Sequence, residues 1–119
     1  MKKTLILGAS TNPDRYSNIA AHRLIEHGHP IVNVGVKLGE VAGVAIELPD
    51  ILHDDIDTIT LYLGPANQVP YYEYILKSKP KRLIFNPGTE NPELETLAEE
   101  HGIETTEACT LVLLSTGQY

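Results

Sequence analysis

The first 27 residues constrain the fold more than any other stretch of this chain. An apolar run at residues 5–7 stops at Gly8, small and polar residues follow, and an amphipathic segment begins near Ser17. A buried strand, a tight glycine turn and a helix start are the parts of a phosphate-binding βα unit, because backbone N–H groups converge there and the helix dipole favours negative charge. This stretch therefore predicts that a phosphorylated ligand is held in the turn.

Segments with strand and helix character alternate along the rest of the chain. The pattern predicts helices at about 17–27, 67–78 and 92–101, strands at 30–36, 57–63, 81–85 and 103–106, a loop at 38–43, a short edge strand at 44–46, and a terminal helix or coil at 109–114. Alternation of this kind indicates right-handed βαβ units. We therefore expect an α/β fold of three layers, a Rossmann-like parallel sheet with helices on both faces.

Three of the predicted strands end in a turn of unusual composition. These turns are Gly8-Ala9-Ser10, Leu63-Gly64-Pro65 and Asn86-Pro87-Gly88. Ligands of open parallel sheets bind beyond the carboxyl ends of the strands, so the three turns are expected to converge at one edge of the fold. Each turn taken alone is also compatible with a purely structural role.

Several side chains near the first turn favour an anionic ligand. Arg15 lies within the loop, Ser10 and Ser17 offer hydroxyl groups, and Ser17 or Asn18 is the expected N-cap of the first helix. Lys37 follows the second strand and supplies another cation, although a solvated surface charge is an alternative interpretation of it. The loop therefore offers both cations and hydrogen-bond donors to a phosphate.

The same region argues against NAD. The first turn has one glycine, whereas the dinucleotide fingerprint has three, and no Gly-Lys-Ser or Gly-Lys-Thr follows it to make a Walker loop. Asn33 stands where an NAD site requires an acidic residue. Asn33 and Lys37 together suit a phosphate on or near the ribose better than a free diol.

Composition excludes several classes of partner. The formal net charge of -7, from 16 acidic and 9 basic residues, argues against nucleic acid and anionic membranes. No apolar run approaches membrane-spanning length, and the first run ends too early for a signal peptide. The single Cys109 excludes an internal disulfide and fits the cytoplasm. The length of 119 residues is that of a single domain, residues 1–119.

No catalytic or metal-binding constellation is expected. His53-Asp54-Asp55 has no matching His or Cys pair at zinc spacing, and the glutamates of residues 90–100 fit the solvent face of a helix. Cys109 is the one residue with intrinsic nucleophilicity. A buried small apolar residue is the alternative interpretation of Cys109.

Several short motifs occur in an order that is more specific than any one of them. They are Leu7-Gly8-Ala9-Ser10 with Asn12-Pro13, Ser17-Asn18, His27-Gly28-His29 before Pro30-Ile31-Val32-Asn33, Leu48-Pro49-Asp50-Ile51, Asn86-Pro87-Gly88, Gly102-Ile103 and Glu107-Ala108-Cys109-Thr110. Over nearly its whole length the chain resembles the small stand-alone CoA-binding proteins, whose fold is that of the CoA-binding domain of succinyl-CoA synthetase.

The resemblance implies coenzyme A as the ligand. Its pyrophosphate would lie on the first turn and at the start of the helix, with Asn33 and Lys37 near the ribose or its phosphate. The other two turns would line the groove. Apart from the resemblance, the functional interpretation of Cys109 is a thiol near the ligand that meets the pantetheine sulfur and forms a mixed disulfide. The residues expected to bind the cofactor are Gly8, Ala9, Ser10, Asn12, Arg15, Ser17, Asn18, Asn33, Lys37, Leu63, Gly64, Pro65, Asn86, Pro87 and Gly88.

The leading hypothesis is therefore non-catalytic binding of coenzyme A or a related adenine nucleotide. A small NAD(P)-dependent oxidoreductase is the alternative. The lack of the three-glycine fingerprint and of an acidic residue at the end of the second strand argues against it. A protein-interaction scaffold, in which the turn only packs, is a third. A homodimer is compatible with the tyrosines at positions 71, 72 and 74, but nothing in the sequence requires one.

Overall fold

The computed structural model describes all 119 residues, Met1–Tyr119, as seven strands and five α-helices. The strands are β1 (Thr4–Leu7), β2 (Ile31–Val34), β3 (Gly39–Val41), β4 (Val44–Glu47), β5 (Thr58–Leu61), β6 (Arg82–Phe85) and β7 (Glu104–Glu107). The helices are α1 (Tyr16–Glu26), α2 (Pro65–Gln68), α3 (Tyr72–Ser78), α4 (Pro92–Glu100) and α5 (Thr110–Ser115). No helix combines the length and the apolar character needed to cross a membrane.

All seven strands form one sheet in the order β3-β4-β2-β1-β5-β6-β7. Every neighbouring pair is parallel except β3 with β4. The chain leaves β1 towards β2 on one side and leaves β5 towards β6 on the other. The order of strands therefore reverses between β1 and β5, and ligand sites of such sheets form at this switch point.

Helices cover both faces of the sheet, which confirms the predicted three-layer α/β arrangement. Successive side chains of a strand point to opposite faces, so Leu5 and Leu7 join one core cluster and Ile6 joins the other. The larger cluster, of 14 buried residues, packs the sheet against α3 and α4. The smaller cluster, of 7, includes Leu24 of α1 and Leu114 of α5.

The region after β2 departs from the sequence prediction. Residues 38–43 were expected to form a loop and 44–46 an edge strand, but β3 and β4 form a hairpin in which β3 is the edge. Ala42 and Gly43 both have positive φ, 53° and 79°, as a tight hairpin turn requires. The sequence hides this turn because alanine rarely adopts such a conformation.

The helix expected at 67–78 is also different. It begins at Pro65 with Gly64 as its N-cap, two residues before the predicted start. A 3₁₀ turn at Val69–Tyr71 then separates α2 from α3. Pro70 lies in that turn, where its missing N–H interrupts the hydrogen bonds that would continue one α-helix.

Candidate functional site

A groove of about 500 Å³ lies at the carboxyl ends of the parallel strands. Its 17 lining residues come from positions 8–11, 15–17, 35–37, 62–64, 71 and 87–89. They follow β1, β2, β5 and β6, the strands on both sides of the switch point. The groove therefore contains residues of all three turns that the sequence predicts at one edge.

The first turn approaches its neighbours so closely that it requires glycine. Gly8 has a φ of +100°, and a Cβ placed there would lie 3.1 Å from the backbone carbonyl of Tyr62. A Cβ on Gly35 would lie 2.5 Å from the carbonyl oxygen of Ala9, which is impossible without movement of the loop. Gly35 was missed in the sequence because no motif marks the point where β2 meets this turn.

Hydrogen bonds within the loop fix its path between β1 and α1. The side-chain amide of Asn18 donates to the carbonyl oxygen of Ser10 at 2.9 Å, and the Ser10 hydroxyl accepts from the backbone N–H of Asn12 at 3.1 Å. The Asn12 side chain accepts from the N–H of Asp14 at 2.9 Å. Asn12 and Asn18 were expected to contact the ligand, but they lie outside the groove lining and bind the loop instead.

Four backbone N–H groups at the loop and the helix start have no hydrogen-bond acceptor within the protein. They belong to Ser10, Thr11, Tyr16 and Ser17. The N-cap of α1 is Arg15, whose side chain makes no capping bond, so the expected cap at Ser17 or Asn18 is wrong. Because the first N–H groups of a helix lack intrahelical partners, this end of α1 is free to donate to an anion.

The charge of the groove is opposite in sign to that of the whole chain. Its lining contains the cations Arg15 and Lys37 and no aspartate or glutamate. Neither cation takes part in an ion pair, since the three ion pairs of the structure involve Lys3, His53 and Lys77. The groove therefore presents two unneutralised positive charges in a chain of net charge -7, and such a local field attracts anions whatever the net charge.

The turns after β5 and β6 are fixed from beneath by a buried amide. The Gln68 side chain is fully buried and donates to the carbonyl oxygens of Leu63 and Thr89, both at 2.8 Å. It also accepts from the side-chain amide of Asn91 at 2.8 Å. One residue of α2 thus joins the two turns, and nothing in the sequence marks it.

Asn86, like Gln68, is a buried amide whose hydrogen bonds join separate parts of the fold. Its side-chain amide donates to the Thr60 hydroxyl at 2.6 Å and to the Leu61 carbonyl oxygen at 2.8 Å, and its oxygen accepts from the N–H of Thr110 at 2.9 Å. It is 3% exposed. Asn86 therefore lies below the groove, and Pro65, exposed in the first turn of α2, is also absent from the lining; both were expected to line it.

Asn33 is the largest correction to the predicted site. It is 1% exposed, and its amide donates to the carbonyl oxygens of Val41 and Val44 at 3.2 and 3.1 Å. Asn33 lies within β2, one residue before its end at Val34, and its side chain fastens the β3–β4 hairpin to the sheet. Lys37, by contrast, lies in the groove lining.

A second cavity of about 220 Å³ adjoins the groove. Cys109, Asn86 and Leu111 line it, together with three residues that also line the groove, namely Tyr16, Tyr62 and Pro87. Cys109 is partly buried and directly precedes α5. Burial raises the pKa of Tyr62 to about 12, so its phenol is neutral at physiological pH.

The structure contains no group of three or more His, Cys, Asp or Glu side chains that could hold a metal ion.

The lining residues that the sequence did not predict share one property: most of them lie within a few positions of a strand end. They are Thr11, Tyr16, Gly35, Val36, Tyr62, Tyr71 and Thr89. The rule that sites form at the carboxyl ends of strands could have indicated all of them except Tyr16 and Tyr71.

Comparison with known proteins identifies relatives over the whole chain. The family described as "CoA binding domain" matches residues 2–115. A solved structure described only as an uncharacterized protein is 54% identical, with a TM-score of 0.97, and the match covers 100% of this chain and 98% of that one. No match is found among the curated proteins.

Two further solved structures are similar. A hypothetical protein from Pyrococcus horikoshii OT3 is 30% identical with a TM-score of 0.86, over 97% of this chain and 82% of that one. A protein from Thermus thermophilus is 22% identical with the same TM-score, over 99% of this chain and 90% of that one, and this likeness concerns the fold alone.

Proposed function

Because the chain belongs to the CoA binding domain family, we propose that it binds coenzyme A in the groove at the carboxyl edge. We propose residues 1–119 as one binding domain, in which the strand, turn and helix from Gly8 to Ser17 hold the phosphates. The observation that carries this proposal is the pairing of Arg15 and Lys37 with unpartnered N–H groups in a groove without carboxylates.

The donors suit a ligand with phosphates at two places. We assign the pyrophosphate to the Gly8 turn, Arg15 and the start of α1, where helix dipole and N–H groups act together. Lys37 follows β2, the strand beside β1, and would hold the phosphate on the ribose. Hydrogen bonds from charged donors to phosphate are the strong ones, so these two side chains are expected to supply much of the affinity.

Binding without catalysis is the form of the proposal that the lining favours. The groove has hydroxyls, backbone donors and two cations, but none of its residues is a histidine, cysteine, aspartate or glutamate. Histidine, the side chain that most often carries out general acid–base chemistry, is thus missing from the groove. Lys37 after β2, in place of an acidic residue, also speaks against a nicotinamide cofactor with a free ribose diol.

Calorimetry with coenzyme A, NADPH and inorganic phosphate tests the proposal. We expect coenzyme A to bind most tightly, and Gly8→Val to abolish its binding because the added side chain blocks backbone approach. Lys81→Ala is the control, since it removes a cation that precedes β6 and so lies at the amino ends of the strands, away from the groove. Coenzyme A binding no tighter than phosphate would overturn the proposal.

We also propose that the thiol end of the ligand reaches Cys109. The cavity that holds Cys109 shares Tyr16, Tyr62 and Pro87 with the groove, which gives the pantetheine arm a continuous path. With the disulfide form of coenzyme A, the Cys109 thiolate would attack one sulfur, form a mixed disulfide and release the other coenzyme A as its thiolate.

Intact-mass measurement after incubation with coenzyme A disulfide tests this second step. We expect one added coenzyme A on the wild-type protein and none on Cys109→Ser. An unchanged mass of the wild-type protein would refute the reach of the thiol while leaving the binding site itself open to the calorimetric test.

A further inference from the structure

The third turn carries a carboxylate where the rest of the groove has none. The backbone N–H of Gly88 donates to Oε1 of Glu90 at 2.8 Å, and Gly88 is part of the groove lining. Every other carboxylate that makes a side-chain hydrogen bond or an ion pair in the structure does so with a residue outside the lining. Glu90 is therefore the one carboxylate that forms a hydrogen bond with a residue of the groove lining.

We propose that Glu90 is an internal counter-anion that limits the affinity of the groove for anionic ligands. Its carboxylate occupies a backbone donor of the groove and places a negative charge next to the ligand's phosphates. An incoming polyanion must displace the Glu90 side chain or tolerate its repulsion, and either effect weakens binding. This inference rests on the proposed function, because it concerns the ligand of the same groove.

The turn does not need Glu90 for its shape. Both the N–H and the hydroxyl of Thr89 donate to the carbonyl oxygen of Asn86, at 2.9 and 2.7 Å, and Gln68 binds the carbonyl oxygen of Thr89. These groups are buried, whereas Glu90 is exposed. Removal of the carboxylate should therefore leave the turn in place and free the Gly88 N–H for the ligand.

Titration of coenzyme A into Glu90→Ala, Glu90→Gln and a control variant at constant ionic strength tests this role. Glu100→Gln is the control, because it removes the same charge from the last residue of α4. We expect Glu90→Ala to bind about twofold to fivefold more tightly than wild type, as for loss of a nearby like charge at a solvated site. Glu90→Gln, which keeps an acceptor for the Gly88 N–H, is expected to gain less, and Glu100→Gln nothing.

The outcomes separate this inference from the function on which it rests. If the wild-type protein binds coenzyme A and Glu90→Ala binds it equally or more weakly, the role of Glu90 is refuted and the proposed function stands. If the wild-type protein binds coenzyme A no better than inorganic phosphate, both fail. A thermal melt verifies that the variants are folded. If Glu90→Ala is unfolded, the affinity of Glu90→Gln compared with wild type decides whether Glu90 weakens binding.

Discussion

The two walls of the groove use their polar groups in opposite ways. On the wall formed by residues 8–17 and 35–37, four N–H groups have no acceptor in the protein and two cations have no ion-pair partner. On the wall formed by residues 62–64 and 87–89, buried side chains bind the turns from beneath. The donors and cations of the first wall are therefore free to bind a ligand, whereas the polar groups of the second wall are already paired within the protein.

This difference follows from the burial of the polar side chains on each wall. Gln68, Asn86 and Thr89 are buried, and a buried polar group must be paired within the protein or it destabilises the fold. Arg15 and Lys37 are exposed, so they remain hydrated when the groove is empty. Variants of the second wall should therefore change stability, and variants of the first should change affinity.

The largest expected effect is on the stability of the second wall. Asn86→Ala removes three hydrogen bonds and leaves the Thr110 N–H and the Leu61 carbonyl oxygen without them, so the free energy of unfolding should fall by about 3 kcal/mol. Urea denaturation measures this, with Arg15→Ala as the comparison that should change it by less than about 0.5 kcal/mol. Equal losses of unfolding free energy in the two variants would contradict the distinction between the two walls.

The next effect is on affinity at the first wall. Arg15→Ala and Lys37→Ala should each weaken coenzyme A binding by about tenfold, and the double variant by about a hundredfold, because each removes a charge-assisted hydrogen bond to phosphate. Calorimetry measures this, and the urea midpoint should stay at the wild-type value. A double variant that binds as tightly as Lys81→Ala would refute the assignment of these cations.

Gly35→Ala should affect both properties, because Gly35 joins the first turn to the sheet. Its new Cβ would lie 2.5 Å from the Ala9 carbonyl oxygen, so the turn must move. We expect stability to fall by about 1–3 kcal/mol, as in other overpacked sites, and affinity to fall with it. Gly64→Ala is the matched control for stability, since a Cβ there meets nothing within 4 Å. A loss of stability with unchanged affinity would mean that the turn does not hold the ligand.

The smallest expected effect is a pH dependence of stability that comes from His29, which precedes β2 at the end of the sheet opposite the groove. Burial, with help from nearby cations such as Lys2 and Arg82, lowers the pKa of His29 from its ordinary value of 6.5, and its Nδ1 accepts from the N–H of Lys2 at 3.0 Å. Because the folded state binds this proton less readily than the unfolded state, stability should fall as pH drops below about 6.5. Urea unfolding across pH 5–7.5 measures it, and His29→Gln should flatten the profile. A flat wild-type profile would contradict this assignment.

The three layers of the fold could be predicted from the sequence, but the β3–β4 hairpin at the edge of the sheet could not. Apolar runs bounded by Gly8, Gly64 and Asn86 placed the central strands, since buried parallel strands require such runs. The β3–β4 hairpin was missed because its turn contains Ala42 at positive φ and because β3 is exposed at two of its three positions. Edge strands lack the two-sided burial that makes central strands recognisable.

The site was predictable where backbone position decides it. The Gly8 turn, Arg15, Lys37 and the turns after β5 and β6 could be located from strand ends alone. The roles of Asn33 and Asn86 could not, because an asparagine near a strand end can point into the sheet or into the groove. Asn33 lies one residue before the end of β2, and its amide bonds to the β3–β4 hairpin, which the sequence does not reveal.

The most direct test of the account is a ¹⁵N–¹H NMR titration of the protein with coenzyme A. We expect the amides of Ser10, Thr11, Tyr16 and Ser17 to shift most, because these donors have no acceptor in the free protein. Amides at the opposite edge, such as those of His29 and Lys81, should remain in place. Saturable shifts confined to that edge, or to the surface between α1 and α5, would contradict the central claim that the first wall holds the phosphates.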